Sequence, residues 1–324
     1  MPSSSLGTAD ARYYDNTILS SYKDCPRKYF LRHQMHWRGT GTALPLVFGL
    51  SWHSGMDAVW QFAQKATQRE LSQLALAKFC ETWEEQGLPA HLEVEQIAEY
   101  EPRTPGIAAE MYHNYIETRW KMLQEAEVVA IEQPFAVPLP DAEGVWYIGR
   151  LDKVVTWNGE TVVLEHKTTT DYKKDGGFRS TYVESWFSDS QTKGYQFGAG
   201  LFFPGLKQVW VDAALVHKQV HNAFRFIPIA HQDALLREWL SDTRQWVARL
   251  EADVQKYNDT KELSESGAFP KNENSCVGKY GPCPYLSVCR TNSRPDQLSE
   301  PPAGYMVEKW EPFSVLGLDK LVNK

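Results

Sequence analysis

Two carboxylates and one lysine near the middle of the sequence are predicted to lie close together on one face of a hairpin. The dipeptide Asn158-Gly159 separates two segments rich in β-branched residues, a pattern that predicts a two-residue hairpin with a type I′ turn. In the register set by that turn, Asp152 lies directly opposite Glu165, and opposed side chains project to the same face. Lys167 lies two positions beyond Glu165 and therefore shares that face.

Two carboxylates that face each other repel unless something neutralises them. A divalent cation would do so, and carboxylate oxygens are ligands that suit Mg²⁺ or Mn²⁺. Beside such a cation, Lys167 could orient a bound water and stabilise the charge that develops on a phosphate. Hairpin geometry alone leaves a second interpretation equally open, in which the two carboxylates form a solvent-facing pair partly offset by Lys167 and Arg150.

The segments Gly149–Asp152 and Glu165–Lys167 resemble the Asp…Glu-x-Lys signature of the PD-(D/E)XK nuclease superfamily, in the hairpin context of its active site. In the RecB-like branch of that superfamily, a histidine on an upstream helix is a metal ligand, and His53 lies in a similar Gly-x-x-x-His context. A lone histidine is more commonly a polar or buried helix residue, but the downstream motifs favour the ligand interpretation. The resemblance implies that Mg²⁺ or Mn²⁺ is bound by His53, Asp152, Glu165 and the backbone carbonyl of His166.

A further pair of residues follows the Glu-x-Lys segment. Gln191 and Tyr195 are four positions apart on a helix predicted from Ser188 to about Phe202, so they occupy one face. They resemble the Gln-x-x-x-Tyr motif of RecB-like nucleases, which implies that they contact the substrate or support the site. A surface glutamine and a core-edge tyrosine are the plain alternative, and Ser188 with Gln191 also forms a predicted capping box. Tyr22 or Trp186 could stack on a base, and a core position is an equally favoured alternative for either ring.

Four cysteines form a second constellation, in which Cys276, Cys283 and Cys289 have C-x6-C-x5-C spacing and Cys25 lies far upstream. They resemble the iron–sulfur staple of RecB-like nucleases, such as the AddB nuclease domain and the CRISPR-associated adaptation nucleases. The resemblance implies a [4Fe–4S] cluster held by four thiolates, which would tie together two distant parts of the chain. The family usually has two residues between the first two C-terminal cysteines, whereas this sequence has six.

Other interpretations of the cysteines stay open. Zinc (Zn²⁺) is the rival metal, although zinc sites usually contain a tight C-x2–4-C pair, which this sequence lacks. Free buried thiols are the third alternative, and the clustering beside Pro282 and Pro284 makes them the least favoured. The fifth cysteine, Cys80, is predicted to be a packed core thiol in the middle of a helix.

The elements that must position these residues follow from periodicity and from turn and cap signals. The order of helices and strands predicts an α/β (α+β) fold with a central mixed sheet flanked by helices. Strands are predicted at 128–137, 145–157, 160–168, 207–216 and 223–229. Helices are predicted at 16–34 with an interruption at Pro26, 48–66, 67–86, 104–123, 188–202 and 232–257.

The composition bounds the class of protein. The 324 residues have a net charge of −7, which argues weakly against a large basic nucleic-acid surface without excluding a basic groove. No apolar segment approaches the ~20 residues that span a bilayer, and the first residues have no signal-peptide core. An odd number of cysteines without such a signal indicates a reducing cytoplasm, as in a bacterium or a phage-infected cell.

We expect a single nuclease domain at 12–292, with a helical insert at about 60–125, a cysteine-rich segment at 276–290 and an extended tail at 293–324. The ordered motifs predict a metal-dependent deoxyribonuclease, expected to be an exonuclease that acts on DNA single strands or duplex ends. The sequence has no Walker A loop, so unwinding would need a helicase or recombination partner. Two alternatives remain: a non-catalytic nucleic-acid-binding or adaptor module, and a zinc-stapled interaction protein.

Overall fold

The computed structural model describes residues 6–8, 10–41, 43–173, 177–278 and 281–322. Its strands are Arg12–Tyr14 (β1), Trp37–Gly39 (β2), Glu127–Pro138 (β3), Val145–Trp157 (β4), Glu160–Thr169 (β5), Gln208–Leu215 (β6), Phe224–Ile229 (β7), Val277–Gly278 (β8), Gly281–Pro282 (β9) and Tyr305–Val307 (β10). Its α-helices are Asn16–Asp24 (α1), Pro26–Tyr29 (α2), Leu44–Phe62 (α3), Gln68–Glu85 (α4), Val94–Tyr100 (α5), Pro105–Glu125 (α6), Ser180–Ser185 (α7), Ser190–Phe202 (α8), Asp233–Thr260 (α9), Leu263–Ser266 (α10), Leu286–Thr291 (α11), Pro312–Val315 (α12) and Asp319–Val322 (α13).

The chain divides into two compact units. The first unit consists of the described residues up to Gly41, residues Pro134–Arg150 and the described residues from Asp233 onward. The second unit consists of residues 43–133 together with Leu151–Gln232. Strands β3 and β4 each contribute residues to both units.

The predicted hairpin organises the sheet of the second unit. Asn158 and Gly159 have φ angles of 52° and 80°, which is the backbone of a type I′ turn. From that turn β4 and β5 pair antiparallel as far as Lys153 opposite Leu164. β5 then pairs in parallel with β6, and β6 pairs antiparallel with β7. The sheet is therefore mixed and lies with helices in an α/β arrangement, so the predicted fold class is confirmed.

Helices α3, α4 and α6 cover one face of this sheet and form the main apolar core of the second unit. The rings of Trp52 and Tyr112 stack with centroids 4.3 Å apart, and the Tyr112 hydroxyl donates to the carbonyl of Trp52 at 3.0 Å. At Gly55 a side chain would collide with that hydroxyl, so only glycine allows α3 and α6 to approach so closely. The alternating residues of β6 on the other face pack in a smaller cluster with Phe178 and Val183.

The first unit is built from shorter elements around aromatic residues. β1 pairs in parallel with the start of β4, and β10 pairs antiparallel with β2. The rings of Phe30, Tyr257 and Phe269 pack against one another, with Phe30 lying 4.9 Å from Tyr257 and 5.1 Å from Phe269. Pro26 interrupts the first helix as predicted, and a π-helical segment at Phe30–Gln34 continues it.

Three features differ from the sequence-based expectations. The predicted capping box of Ser188 with Gln191 is wrong, because Asp189 is the N-cap of α8 and its side chain accepts from the amide of Thr192 at 2.9 Å. The segment 293–324 is not uniformly extended, since its described part contains β10, α12 and α13. The sequence signals of the short elements β1, β2 and α5 were too weak for these elements to be predicted.

No helix in the described ranges has the length and apolar character needed to cross a membrane.

Candidate active site

The two carboxylates of the hairpin lie just beyond the last paired residues of β4 and β5. The antiparallel register ends with Lys153 opposite Leu164, one position before Asp152 and Glu165. The amide of His166 instead donates to Oδ2 of Asp152 at 2.9 Å. Both carboxylates are buried, with Glu165 only 1% exposed. The strands thus hold two acidic groups side by side at a place that water barely reaches.

His53 approaches the carboxylates from α3. Its Nδ1 lies 3.1 Å from Oδ2 of Asp152. Burial opposes the charged form of His53, but the charge of Asp152 and the hydrogen bond to it raise the pKa of His53 overall. Burial acts in the same way against ionised Asp152, yet the charges of His53, Lys153 and Lys167 hold the pKa of Asp152 well below its usual range. The two side chains therefore form a hydrogen-bonded histidine–carboxylate pair.

Lys167 lies on the other side of Glu165 and is held by two acceptors. Its Nζ is 2.6 Å from Oε1 of Glu165 and donates to Oε1 of Gln191 at 3.3 Å. The Gln191 amide nitrogen donates to Oε1 of Glu165 at 3.2 Å and to the Tyr195 hydroxyl at 2.8 Å. Gln191 is available for these contacts because Asp189 caps the helix. The structure thus brings the Glu-x-Lys and Gln-x-x-x-Tyr residues into one hydrogen-bonded group.

The electrostatics of this group fit a divalent cation. Burial and the charge of Asp152 raise the pKa of Glu165 to about 7. Oε2 of Glu165 is buried and has no hydrogen-bond partner among the described residues. Burial would lower the pKa of Lys167, but Glu165 and Asp152 raise it overall, so the ammonium stays charged. A buried acidic pair with an unsatisfied oxygen, next to an imidazole, is a donor set that suits Mg²⁺ or Mn²⁺.

Comparison with known protein families identifies the superfamily of the chain. The family model described as the PD-(D/E)XK nuclease superfamily matches residues 16–290. The chain belongs to this superfamily. The match includes the hairpin, His53 and all four clustered cysteines, so the predicted superfamily is confirmed. No curated protein matches the chain.

Among solved structures, this PD-(D/E)XK nuclease is similar to a crystal structure described as "Putative exonuclease" from Eubacterium rectale. The two share 16% sequence identity over 76% of this chain and 82% of that chain, with a TM-score of 0.40. A similarity this low bears on neither substrate nor mechanism.

Strands β4 and β5 of the nuclease also carry buried polar residues that the motifs did not indicate. Lys153 is fully buried and donates from Nζ to Oδ1 of Asp57 at 2.7 Å. The His166 side chain lies with Nδ1 3.1 Å from Oδ2 of Asp212, which also accepts from the Tyr115 hydroxyl at 2.6 Å. A lysine at an inward position of a β-branched strand was the available signal for Lys153. The ligand role of the His166 carbonyl stays a prediction.

The four predicted cluster cysteines lie together in the first unit of the nuclease. Cys25 is the residue between α1 and α2, and the amide of Asn272 lies 3.4 Å from its sulfur. The amide of Cys283 donates to the carbonyl of Cys276 at 2.8 Å. Electrostatic interactions link Cys283 with Cys25 and Cys276, and Cys289 with Cys25 and Cys283. Residues that are far apart in sequence therefore face one another here.

Positive side chains accompany these thiols. Burial raises the pKa of Cys283 and of Cys289. The charge of Lys28 acts against this and lowers the pKa of Cys283. The charges of Lys271 and Arg27 likewise lower the pKa of Cys289. Cations beside thiols favour the thiolate, which is the form that binds metal. Among the described residues, no three His, Cys, Asp or Glu side chains converge closely enough to hold a metal ion. A metal would therefore have to draw its ligands closer in either unit.

Two other predicted residues lie apart from both groups. Tyr22 is buried in the first unit, where its hydroxyl donates to Oδ2 of Asp253 at 2.8 Å. A contact between Tyr22 and a base would require the ring to become exposed, and that role stays a prediction. Cys80 packs against the main core of the second unit and is half-buried.

Proposed function

We propose that this PD-(D/E)XK nuclease is a metal-dependent exodeoxyribonuclease of the RecB-like type. The observation that supports it best is the single buried group of His53, Asp152, Glu165 and Lys167, with one carboxylate oxygen left unsatisfied. A purely structural acidic hairpin would not be expected to keep such an oxygen buried, because an unpaired buried acceptor costs free energy.

The proposed ligands of Mg²⁺ or Mn²⁺ are His53, Asp152, Glu165 and the carbonyl of His166. When bound, the cation would lower the pKa of a water molecule and neutralise charge on the scissile phosphate. As a ligand, His53 would be a neutral imidazole that binds the cation through a ring nitrogen without a proton. The carboxylate of Asp152 is already held by the His166 amide, so its orientation is set before any ligand arrives.

Lys167 would act as a charged hydrogen-bond donor rather than as a base. Its raised pKa keeps the ammonium protonated, and its contacts with Glu165 and Gln191 hold it in place. From there it can orient the attacking water and stabilise negative charge on the phosphate oxygens. Gln191 and Tyr195 support this position through their mutual hydrogen bond and can also steer the DNA strand. Single strands or duplex ends are the proposed substrates, with unwinding left to a helicase or recombination partner.

A [4Fe–4S] cluster bound by Cys25, Cys276, Cys283 and Cys289 is proposed as the second metal centre. Its support is that these four thiols face one another and that cations surround them. The cluster would act structurally, because it would join two segments that are far apart in sequence. Zinc is the competing occupant. An absorption band near 400 nm in the purified protein favours iron–sulfur, and its absence together with stoichiometric zinc overturns that assignment.

The nuclease proposal is tested with end-labelled single- and double-stranded DNA incubated with Mg²⁺, Mn²⁺ or EDTA. We expect cleavage that depends on the cation and is lost in Lys167→Ala. Lys218→Met is the matched control, because Lys218 pairs with Glu101 at 2.7 Å and belongs to no proposed site. Mononucleotide products released from one end support an exonuclease, whereas internal fragments contradict it. Binding without cleavage by the folded wild-type protein would favour the adaptor alternative.

A further inference from the structure

Lys153 on strand β4 is a fully buried charged side chain next to Asp152. It is 0% exposed, and lysine is almost never buried to this degree unless it is paired. Its partner is Asp57 on α3, with Nζ and Oδ1 2.7 Å apart. In the register of the hairpin, Lys153 lies opposite Leu164, which belongs to the core that α3 covers. The pair therefore joins helix α3 to strand β4.

The same helix and strand are also joined by the proposed metal ligands. His53 and Asp57 are four positions apart on α3, so they lie on one face about one turn from each other. Asp152 and Lys153 are consecutive on β4. His53 reaches Asp152 at 3.1 Å, and Asp57 reaches Lys153 at 2.7 Å. Two contacts spaced along one helix resist both sliding and rotation, which a single contact does not.

Only one relative position of α3 and β4 allows both contacts. Moving α3 along its axis by one residue shifts every side chain by about 1.5 Å, and turns it by about 100°. Either change would separate His53 from Asp152 as well as Asp57 from Lys153. The positive charge of Lys153 also lowers the pKa of Asp152 and of His166, so the ammonium lies close enough to influence both residues.

We propose that Lys153 and Asp57 are positioning residues, which hold α3 and β4 in the one register where His53 meets Asp152. This inference rests on the proposed function, because His53 and Asp152 matter as proposed metal ligands. A stabilising role alone is a poor explanation for the pair, since replacing a buried ion pair by apolar residues of similar size is commonly neutral or stabilising. The two explanations therefore predict different behaviour for an apolar replacement.

The test is the double variant Asp57→Leu/Lys153→Met, which removes both charges and leaves apolar side chains in their place. Three quantities are measured: the unfolding temperature, Mn²⁺ binding to the DNA-free protein by electron paramagnetic resonance, and kcat and KM for DNA cleavage. We expect an unfolding temperature within about 4 °C of the wild type. We also expect Mn²⁺ affinity and kcat to fall by about 10-fold or more, as for other residues that orient metal ligands, with KM unchanged.

Two further variants separate charge from geometry. Asp57→Asn keeps an oxygen that can accept from Lys153, so we expect it to lose less than about 3-fold in Mn²⁺ affinity. Lys218→Met serves as the control for removal of a paired lysine elsewhere in the second unit, and we expect it to match the wild type. If the double variant does not fold, Lys153→Met alone is used, because Asp57 is partly exposed and can be hydrated.

A crystal structure of the folded variant gives a readout that does not depend on any metal. We expect the separation of His53 Nδ1 and Asp152 Oδ2 to exceed hydrogen-bond distance. A separation unchanged at 3.1 Å, with wild-type Mn²⁺ affinity, would overturn the positioning role. Absence of Mn²⁺ binding and cleavage in the wild type and in Lys218→Met would instead reject the proposed function, and the distance in the variant would still decide the inference.

Discussion

The catalytic group of the second unit and the cysteine group of the first unit both gather residues from distant parts of the sequence, but regular structure supports them unequally. The proposed catalytic residues project from a 19-residue helix, a paired hairpin and the first two turns of a 13-residue helix. The cysteines come from the junction of α1 and α2, from a 3₁₀ turn, from the end of the two-residue strand β9 and from the six-residue α11.

That difference has a physical consequence. In the proposed catalytic group the side chains hydrogen-bond to one another, apart from Oε2 of Glu165, so the fold orients most of them without help from a ligand. Short helices and two-residue strands have little stability of their own, since a helical turn is costly to nucleate. The proposed cluster would therefore stabilise the cysteine segments more than the proposed metal would stabilise the hairpin. Substitutions in the proposed catalytic group should therefore lower the rate of cleavage with little effect on stability. Substitutions of the clustered cysteines should lower stability with little effect on the rate of cleavage by the folded protein.

The largest expected effect is on chemistry, in Asp152→Ala and Lys167→Ala. The first removes a proposed metal ligand and the second removes a charged donor that is proposed to stabilise the phosphate, and loss of one stabilising donor commonly costs about 10²–10³-fold in rate. We expect single-turnover cleavage of labelled DNA to fall by at least that factor, while circular dichroism and the unfolding temperature stay near the wild type. An Asp152→Ala protein that cleaves at the wild-type rate would remove the catalytic assignment.

The reverse pattern is expected for Cys283→Ser. Loss of one ligand should release the metal and remove a long-range cross-link, which for native cross-links typically costs about 2–5 kcal/mol of the free energy of unfolding. Metal content and urea unfolding measure this change, and cleavage is normalised to the folded fraction. Cys80→Ser is the matched control, because Cys80 belongs to the second unit and should leave metal content unchanged. Full metal content in Cys283→Ser would argue against the proposed cluster.

Local patterns predicted the catalytic hairpin because its geometry is set by neighbours in sequence. The Asn158-Gly159 turn determines the register that brings Asp152 beside Glu165. The Lys153–Asp57 pair could not be predicted in the same way, since it requires the docking of α3 on the sheet. The contact of Gln191 with Glu165 was obscured by a shift of one residue in the helix cap. The pairing of β10 with β2 joins residues too distant for any local signal.

A smaller effect concerns the first unit at low pH. His33 lies in the π-helical segment and stacks on Tyr29 with ring centroids 5.2 Å apart. Burial, together with the charges of Arg32 and His36, lowers the pKa of His33 to about 3. The unfolded chain, with a histidine pKa of about 6.5, therefore binds more protons than the folded chain between pH 6.5 and 3. Stability is fully retained above that window and decreases as the pH falls through it.

We expect His33 to account for a loss of about 2 kcal/mol in the free energy of unfolding between pH 7.5 and 5, at 1.36 kcal/mol for each pKa unit. Urea unfolding at each pH measures it. The variant His33→Phe keeps an aromatic ring against Tyr29 and should flatten this pH dependence. His91→Gln, at an exposed position of the second unit, should leave it unchanged. Equal slopes for the wild type and His33→Phe would contradict the assignment.

The smallest effect tests whether the catalytic group is independent of the stability of its own unit. Thr67 caps α4, because its hydroxyl accepts from the amide of Glu70 at 3.3 Å while the Glu70 carboxylate accepts from the Thr67 amide at 2.9 Å. Removing a cap of this kind costs about 1 kcal/mol, so Thr67→Ala should lower the unfolding temperature by about 2–4 °C. Thr118→Ala, at an exposed position within α6, is the control and should be neutral or slightly stabilising. We expect kcat to be unchanged in both, because no hydrogen bond or ion pair described for the proposed site involves a residue of α4. A fall in kcat in Thr67→Ala alone would mean that helix packing, and not only strand register and the contacts of α3, sets the geometry of the site.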